Sequence, residues 1–272
     1  MTLADERADA IAKLTAAGIV DAAREADLLL GVVFPRKYVD YEEVFTPEFA
    51  ARYREVVARR ASREPLSHIS GRRAFWNHVF EVSNAVLDPR PDTETLVEAA
   101  LDLEWRTVLD LGTGSGCILL SLLAEREQAR GVGIDISEDA LSVAMRNRSA
   151  LELNQRATLQ RGDWLVGLEG VFDLIVSNPP YITQGAYETL QPEVLKFEPR
   201  VALTPGGDGL DAYRVLALDT PAHLAVGGTL LLEIGFDQRD AVQEILRNAE
   251  WQEIAVIQDL SGHSRVISAK RG

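Results

Sequence analysis

Cysteine is almost missing from this chain: Cys117 is the only one in 272 residues. A lone thiol excludes an internal disulfide and fits a reducing, cytoplasmic setting. Histidine is nearly as sparse. His68, His78, His223 and His263 are scattered without metal-ligand spacing, so no metal centre is expected. Long apolar runs are lacking too. Leu28–Leu30 and Leu119–Leu123 are the most apolar stretches, and both fall far short of the ~20 residues that span a bilayer, so no membrane association is expected. Asp5, Glu6 and Asp9 come where a secretory leader would be basic and then apolar, and none is expected. Positive charge is in deficit, with a net charge of −14. Residues 1–85 hold 12 basic and 13 acidic side chains, whereas the remainder holds 16 basic and 29 acidic. A surface that acidic repels phosphate backbones, so stable nucleic-acid binding is not expected. Arg52, Arg54, Arg59, Arg60, Arg63, Arg72 and Arg73 form a local exception, open to reading as a partner-binding patch or as a solvated helix face.

What is present suits a large domain joined to a small one. The length exceeds the usual single domain, and 46% apolar residues suffice for a sizeable core. From Leu3 to about Arg63 the apolar spacing is helical, as in Ala22, Ala26, Leu29 and Leu30. Pro35 is expected to end the second helix, Thr46-Pro47 to open a third, and Pro65 to close it. Val79–Val82 and Ala85–Leu87, separated by Ser83-Asn84, read as a connecting hairpin. After Trp105, strands alternate with helices. Strands are predicted at Thr107–Leu111, Gly131–Ile136, Thr158–Gln160, Phe172–Ser177, Thr229–Ile234, Trp251–Ile257 and Ser264–Ala269; helices at Gly116–Glu127, Glu138–Leu151, Gly209–Leu224 and Gln238–Asn248. Near-continuous apolar strands in such alternation mean an α/β doubly wound parallel sheet. The last two strands, joined by a loop alone, permit an antiparallel hairpin at one sheet edge.

Four strand ends carry the chemistry. Asp110-Leu111-Gly112-Thr113-Gly114-Ser115-Gly116 runs from a strand through a glycine loop into a helix, a loop that lets backbone approach a ligand. Asp135 closes the next strand, where a carboxylate can take hydrogen bonds from both ribose hydroxyls. Asp110 would favour a nearby ammonium group, which S-adenosylmethionine carries and nicotinamide cofactors do not. Asp163-Trp164 follows the third strand: the acid can accept an adenine amino proton and the indole can pack on the base, or Trp164 is a rim or core aromatic. The fourth strand ends in Ser177-Asn178-Pro179-Pro180-Tyr181. Two prolines stiffen this loop and fix extended backbone before them. The Asn178 Oδ1 and Pro179 carbonyl then form a receptor for an NH2 group, with Tyr181 placed to stack on the flat group that bears it. Ligands bind along this edge of an open α/β sheet. The residues therefore indicate an S-adenosylmethionine-dependent methyltransferase acting on an amide or exocyclic amine, with S-adenosylhomocysteine as product. Cys117 reads as a small core residue rather than a nucleophile.

The chain also resembles the HemK/PrmC family, the protein-(glutamine-N5) methyltransferases of peptide-chain release factors. The resemblance rests on Pro65-Leu66, Ile69-Ser70-Gly71 and Phe75, on Arg90-Pro91-Asp92-Thr93-Glu94, on Asp110 to Gly116, on Asn178 to Tyr181, and on Phe197-Glu198-Pro199-Arg200. Ser67-His68 and the stretch Ser261 to Arg265 depart mildly from the family pattern. What the resemblance implies is a small N-terminal helical domain that binds the release factor (residues 1–75), a β-hairpin linker (76–90) and a Rossmann-like, seven-stranded class I methyltransferase domain (91–272). It also implies that the acceptor is the glutamine of the Gly-Gly-Gln loop of class I release factors, and that Arg90 to Glu94 lies near the methionyl end of the cofactor. Asp92-Thr93 also reads as an N-cap of the following helix. Phe75 is a candidate wall of the acceptor pocket, with a plain core aromatic as the alternative. Glu198 and Arg200 are expected to pair with each other, and the chain is expected to act as a monomer. Two other functions stay open: a nucleic-acid amine methyltransferase, since Asn-Pro-Pro-Tyr is shared with adenine-N6 and guanine-N2 enzymes, and a non-catalytic S-adenosylmethionine-binding protein.

Overall fold

A computed structural model describes residues 2–34 and 46–271 and divides the chain into two compact units, residues 1–72 with 191–197, and residues 73–190 with 198–272. The first unit is helical: α1 (Leu3–Ala16), α2 (Ala22–Val33), α3 (Pro47–Ala61) and the single turn α4 (Leu66–Ser70). Thr2 and Thr46 cap α1 and α3 through their hydroxyls, and Pro47 takes the first-turn position where a missing N–H costs nothing. The expected end of the second helix at Pro35 lies outside the described residues. Leu14, Ala26, Leu29 and Tyr53 fill the core, and the Tyr53 hydroxyl donates to the Ala26 carbonyl at 3.0 Å.

The arginine cluster is largely spent inside the fold. Arg54 pairs with Glu6, Arg59 with Glu64, and Arg60 with Glu25 at 2.8 Å. Arg60 and Arg63 also reach Glu193, at 3.3 and 2.8 Å, and so hold the 191–197 segment within the helical unit. Arg54 and Arg59 keep 57% and 39% of their side chains exposed despite these pairs.

The second unit opens on a hairpin of β1 (Arg72–Phe75) and β2 (His78–Glu81), seven residues earlier than the spacing predicts. The turn falls at Trp76-Asn77 because Trp76 adopts left-handed backbone (φ 52°), held by its N–H donating to Glu94 Oε1 at 2.9 Å. Tryptophan is a poor turn signal, so the pattern favoured Ser83-Asn84, which forms a turn but starts no strand.

A 3-10 turn (Pro91–Thr93) and α5 (Glu94–Leu101) lead into β3 (Thr107–Leu111), α6 (Cys117–Glu125), β4 (Arg130–Asp135), α7 (Glu138–Ala150), β5 (Ala157–Arg161) and β6 (Phe172–Ser177). Three short helices follow, α8 (Gln184–Tyr187), α9 (Pro192–Phe197, part of the helical unit) and α10 (Arg200–Leu203). Then come α11 (Asp211–Asp219), β7 (Leu224–Glu233), α12 (Arg239–Asn248), β8 (Gln252–Gln258) and β9 (Ser264–Lys270). The sheet order is β5-β4-β3-β6-β7-β9-β8. Pairings among β5, β4, β3, β6 and β7 are parallel; β9 inserts antiparallel between β7 and β8. This is the Rossmann-like class I methyltransferase arrangement, with the antiparallel strand one place inside the edge.

Alternate side chains along the central strands serve two cores. Val108, Leu174, Val176 and Leu231 pack with α5 and α6, whereas Leu109, Ile175, Leu230 and Leu232 pack with α11 and α12. Strands buried on both faces must be apolar throughout, which is why they read so clearly.

Gly131 marks the closest helix–sheet approach: a Cβ there would lie 2.5 Å from Leu119 Cδ1 and 2.8 Å from Val108 Cγ1. Gly131→Ala should therefore destabilise by about 1–3 kcal/mol through overpacking, outweighing the ~0.4–1 kcal/mol that a less flexible unfolded chain returns. Denaturant titration measures this; an unchanged or raised midpoint would refute the packing argument.

Candidate functional site

Register brings the strand ends level. Leu111, last in β3, pairs with Ile134 of β4 on one side and with Ser177 of β6 on the other. Ser177 Oγ donates to the Leu111 carbonyl at 2.7 Å, locking the β3 and β6 ends together. The loops leaving β3, β4, β5 and β6 converge on a cavity of about 440 Å³, whose remaining walls come from residues 85–93 and 199–215.

The glycine loop is built for close approach. Gly112, Gly114 and Gly116 all have left-handed backbone, with φ of 75°, 56° and 81°. The N–H groups of Gly112 and Thr113 both donate to the Ile134 carbonyl at 2.9 Å. Asp135 then ties loop to strand: Oδ2 accepts from the Gly114 N–H at 2.8 Å and Oδ1 from the Ser137 N–H at 2.9 Å. Burial raises its pKa, and the N–H groups of Ser137, Gly114 and Ile136 pull against that rise. Each oxygen accepts one bond here and keeps a second lone pair, the requirement for receiving a vicinal diol.

Of the residues singled out from the sequence, Gly112, Thr113, Gly114, Ser115, Asp135, Asp163, Trp164, Asn178 and Pro180 share the cavity wall. Trp164 lies against Gly112, with Cζ3 3.9 Å from where a Cβ would stand. Gly116 sits behind the loop as the left-handed residue that opens α6. Asp110 lies fully buried beneath the loop rather than on the wall. Its Oδ2 accepts from Thr113 Oγ1 at 2.7 Å, and its Oδ1 has no hydrogen-bond partner among the described residues. Burial pushes its pKa up to about 7. Cys117 reaches the wall, but burial pushes its thiol to about 12, so it is no thiolate nucleophile at neutral pH.

In the loop after β6, Asn178 Nδ2 donates to Thr93 Oγ1 at 3.2 Å. Pro179 is buried, and Tyr181 packs into the α11–α12 core while its carbonyl accepts from Gln238 Nε2 at 3.0 Å. Neither Pro179 nor Tyr181 lines the cavity. Burial and the nearby Glu233 push the Tyr181 hydroxyl to about 12.

Three expectations are corrected. Phe75 is not a pocket wall: it is 1% exposed, packed edge-to-face on Phe80 at 6.1 Å in the core beside α5 and α6. Glu198 pairs with Arg90 at 2.6 Å instead of with Arg200, which bonds Gln184 at 2.9 Å. Asp92-Thr93 supplies no side-chain cap to α5; Thr93 serves Asn178 instead.

Sequence reasoning also missed residues that brace this edge. Arg265 Nη2 lies 3.0 Å from Asp92 and 3.1 Å from Asp259, and Nη1 donates to the Ile234 carbonyl at 3.3 Å. Glu233, at the end of β7, is 2% exposed. Its signal was present: an acid closing the apolar run Leu230-Leu231-Leu232 at the same sheet edge.

The buried Asp110 makes stability pH-dependent. Its folded pKa stands above the unfolded value of 3.8, so between pH 4 and pH 7 the folded state holds a proton that the unfolded state has lost. Stability then falls as pH rises through that window, by up to about 1.4 kcal/mol per pH unit. Asp110→Asn removes the effect, and its melting temperature relative to wild type should rise between pH 5 and pH 7.5. A constant difference across that range would refute the assignment.

Comparison with known proteins completes the site. A family model for the methyltransferase small domain matches residues 75–210, and one for the PrmC N-terminal domain matches residues 7–71. The chain is 47% identical to a release factor glutamine methyltransferase of Cereibacter sphaeroides, covering 99% of each chain. It is also 47% identical to the protein of that name from Rhodospirillum rubrum, covering 95% of this chain and 82% of the relative. Among solved structures, the hMettl16 catalytic domain in complex with MAT2A 3′UTR hairpin 6 superposes with a TM-score of 0.60 at 14% identity, covering 84% of this chain and 83% of that one. That likeness speaks for the methyltransferase fold.

Proposed function

Since the chain belongs to the release factor glutamine methyltransferase family, we propose that it transfers a methyl group from S-adenosylmethionine to the side-chain amide nitrogen of the glutamine in the Gly-Gly-Gln loop of class I release factors. The observation that carries this reading is the Asn178 carboxamide on the cavity wall. Its Nδ2 is occupied by Thr93, which leaves Oδ1 to accept a hydrogen from an incoming NH2.

The residues present fit the cofactor. The cavity volume of about 440 Å³ suits a nucleoside-sized ligand. Asp135 would receive the ribose hydroxyls, Asp163 and Trp164 the adenine, and the glycine loop the chain between them. The unpartnered Oδ1 of buried Asp110 is a feature that a nearby ammonium group would stabilise. When bound, S-adenosylmethionine supplies an activated methyl group and is left as S-adenosylhomocysteine.

The protein's part is positioning and charge. Asn178 Oδ1 and the Pro179 carbonyl accept the two amide hydrogens, which points the nitrogen lone pair at the methyl group and raises electron density there. As the methyl group bonds to nitrogen, one of those two hydrogens leaves as a proton, to Asn178 or to water. Pro180 stiffens the loop, and Tyr181 anchors it from the α11–α12 core. The helical unit binds the release factor, the β1–β2 hairpin leads from it into the catalytic unit, and the chain works as a cytoplasmic monomer. Among the described residues no helix is long and apolar enough to cross a membrane.

Labelled S-adenosylmethionine with a purified class I release factor should place one methyl on the Gly-Gly-Gln glutamine. Label appearing only on DNA or RNA would replace this reading with amine methylation of nucleic acid. Asn178→Ala should lower kcat by about 10²–10³-fold with cofactor affinity retained. Asp135→Ala should weaken cofactor binding by about 10–100-fold, the loss of charge-assisted hydrogen bonds; unchanged calorimetric affinity would refute the ribose role.

A further inference from the structure

Asn178 takes its bearing from Thr93, and Thr93 stands at the end of the 3-10 turn Pro91–Thr93. One such turn has little rigidity of its own, because its hydrogen bonds are poorly aligned and Pro91 has no N–H to add. The Thr93 N–H donates to the Arg90 carbonyl at 3.1 Å, and neither the turn nor α5 receives a side-chain cap. Thr93 is buried, so a small drift of the turn moves its hydroxyl and the carboxamide bonded to it. The turn therefore needs a fixed point outside itself.

Arg265 supplies it. The Ile234 N–H donates to the Arg265 carbonyl at 2.8 Å, which ties this arginine to the end of β7. Its guanidinium is held as well: Nη1 donates to the Ile234 carbonyl at 3.3 Å, and Nε and Nη2 donate to Asp259 Oδ2 at 3.2 and 3.1 Å. Asp259 is set in turn by the N–H groups of Ser261 and His263, which donate to its Oδ1 at 2.9 and 3.0 Å. Both side chains of this pair are buried. From that fixed place Nη2 reaches Asp92 Oδ2 at 3.0 Å, whereas the Asp92 side chain is 56% exposed. The contact joins an immobile cation to the one acid of the turn.

Resting on the functional reading above, we propose that Arg265 is a positioning residue for methyl transfer. By holding Asp92 it fixes the turn that carries Thr93, and with it the direction in which Asn178 presents its carboxamide to the acceptor amide. Stability does not explain the contact. Arg265 and Asp259 already neutralise each other, and an ion pair to a half-exposed acid contributes little. Position does explain it, because a misplacement of ~1 Å near the reacting groups can cost on the order of 100-fold in rate. Arginine also suits the place as lysine would not. Its planar fork serves Asp259, the Ile234 carbonyl and Asp92 together, which a point charge cannot.

The test is kcat for release-factor methylation by the full chain and its variants, with KM for the release factor, cofactor affinity and melting temperature measured alongside. Asp92→Asn should lose about 10–100-fold in kcat, while KM, cofactor affinity and melting temperature stay near wild type. Arg265→Lys should share the loss in kcat. If that variant fails to fold with Asp259 left poorly paired, Asp92→Asn and Thr93→Val carry the test. Thr93→Val removes the link to Asn178, so adding Asp92→Asn to it should slow the enzyme no further. A wild-type kcat in Asp92→Asn, a loss confined to KM, or losses that multiply in the double variant overturns the inference alone. Absence of methylation by the wild type overturns the functional reading and this inference with it.

Discussion

Every part of the site depends on the parallel register that sets the ends of β4, β3, β6 and β7 side by side. In-phase pairing of Leu111 with both Ile134 and Ser177, and of Ser177 with Leu232, places Gly112, Asp135, Asn178 and Glu233 along one edge. A slip of one residue in β6 would turn Asn178 to the other face. The apolar side chains on both faces of these strands forbid such a slip, because each slip would exchange the two cores' contents. The sheet interior is thus the device that aims the polar residues beyond it.

At that edge the structure accumulates buried acids. Asp110, Asp135, Glu198 and Glu233 all have pKa values raised by burial. Three are offset by different partners: Thr113 for Asp110, main-chain N–H groups for Asp135, and Arg90 for Glu198. Such groups cost stability, and concentrated in a cleft they mark where a protein invests in function. The acidic net charge of the larger part of the chain therefore has a local counterpart that its surface composition does not show.

The Arg90–Glu94 stretch illustrates how distant segments combine. Arg90 holds Glu198 and so the loop that forms one cavity wall. Asp92 takes Arg265 from the last strand, Thr93 meets Asn178, and Glu94 fixes the Trp76 turn of the hairpin. Four neighbouring residues thereby join the hairpin, the last strand and the loop after β6.

The amino-acid sequence by itself determined the seven strands, the helices between them and the loops at their ends. Those features follow from local rules: apolar continuity, glycine at left-handed turns, and proline that stops a strand. It also named the strand-end residues of the cavity wall, since a residue that follows an apolar strand in an alternating α/β chain must come out at the ligand edge. Tertiary structure alone decided the rest. The hairpin moved to Trp76-Asn77 because a long-range bond from Glu94 stabilises a turn that tryptophan's local preference does not. Phe75 entered the core, Glu198 chose Arg90 over Arg200, and Thr93 left the capping role for Asn178. Partners separated by 85 or 108 positions are not encoded in any window of sequence. They meet because the fold brings residues 90–93 against the loop that leaves β6 and against Glu198.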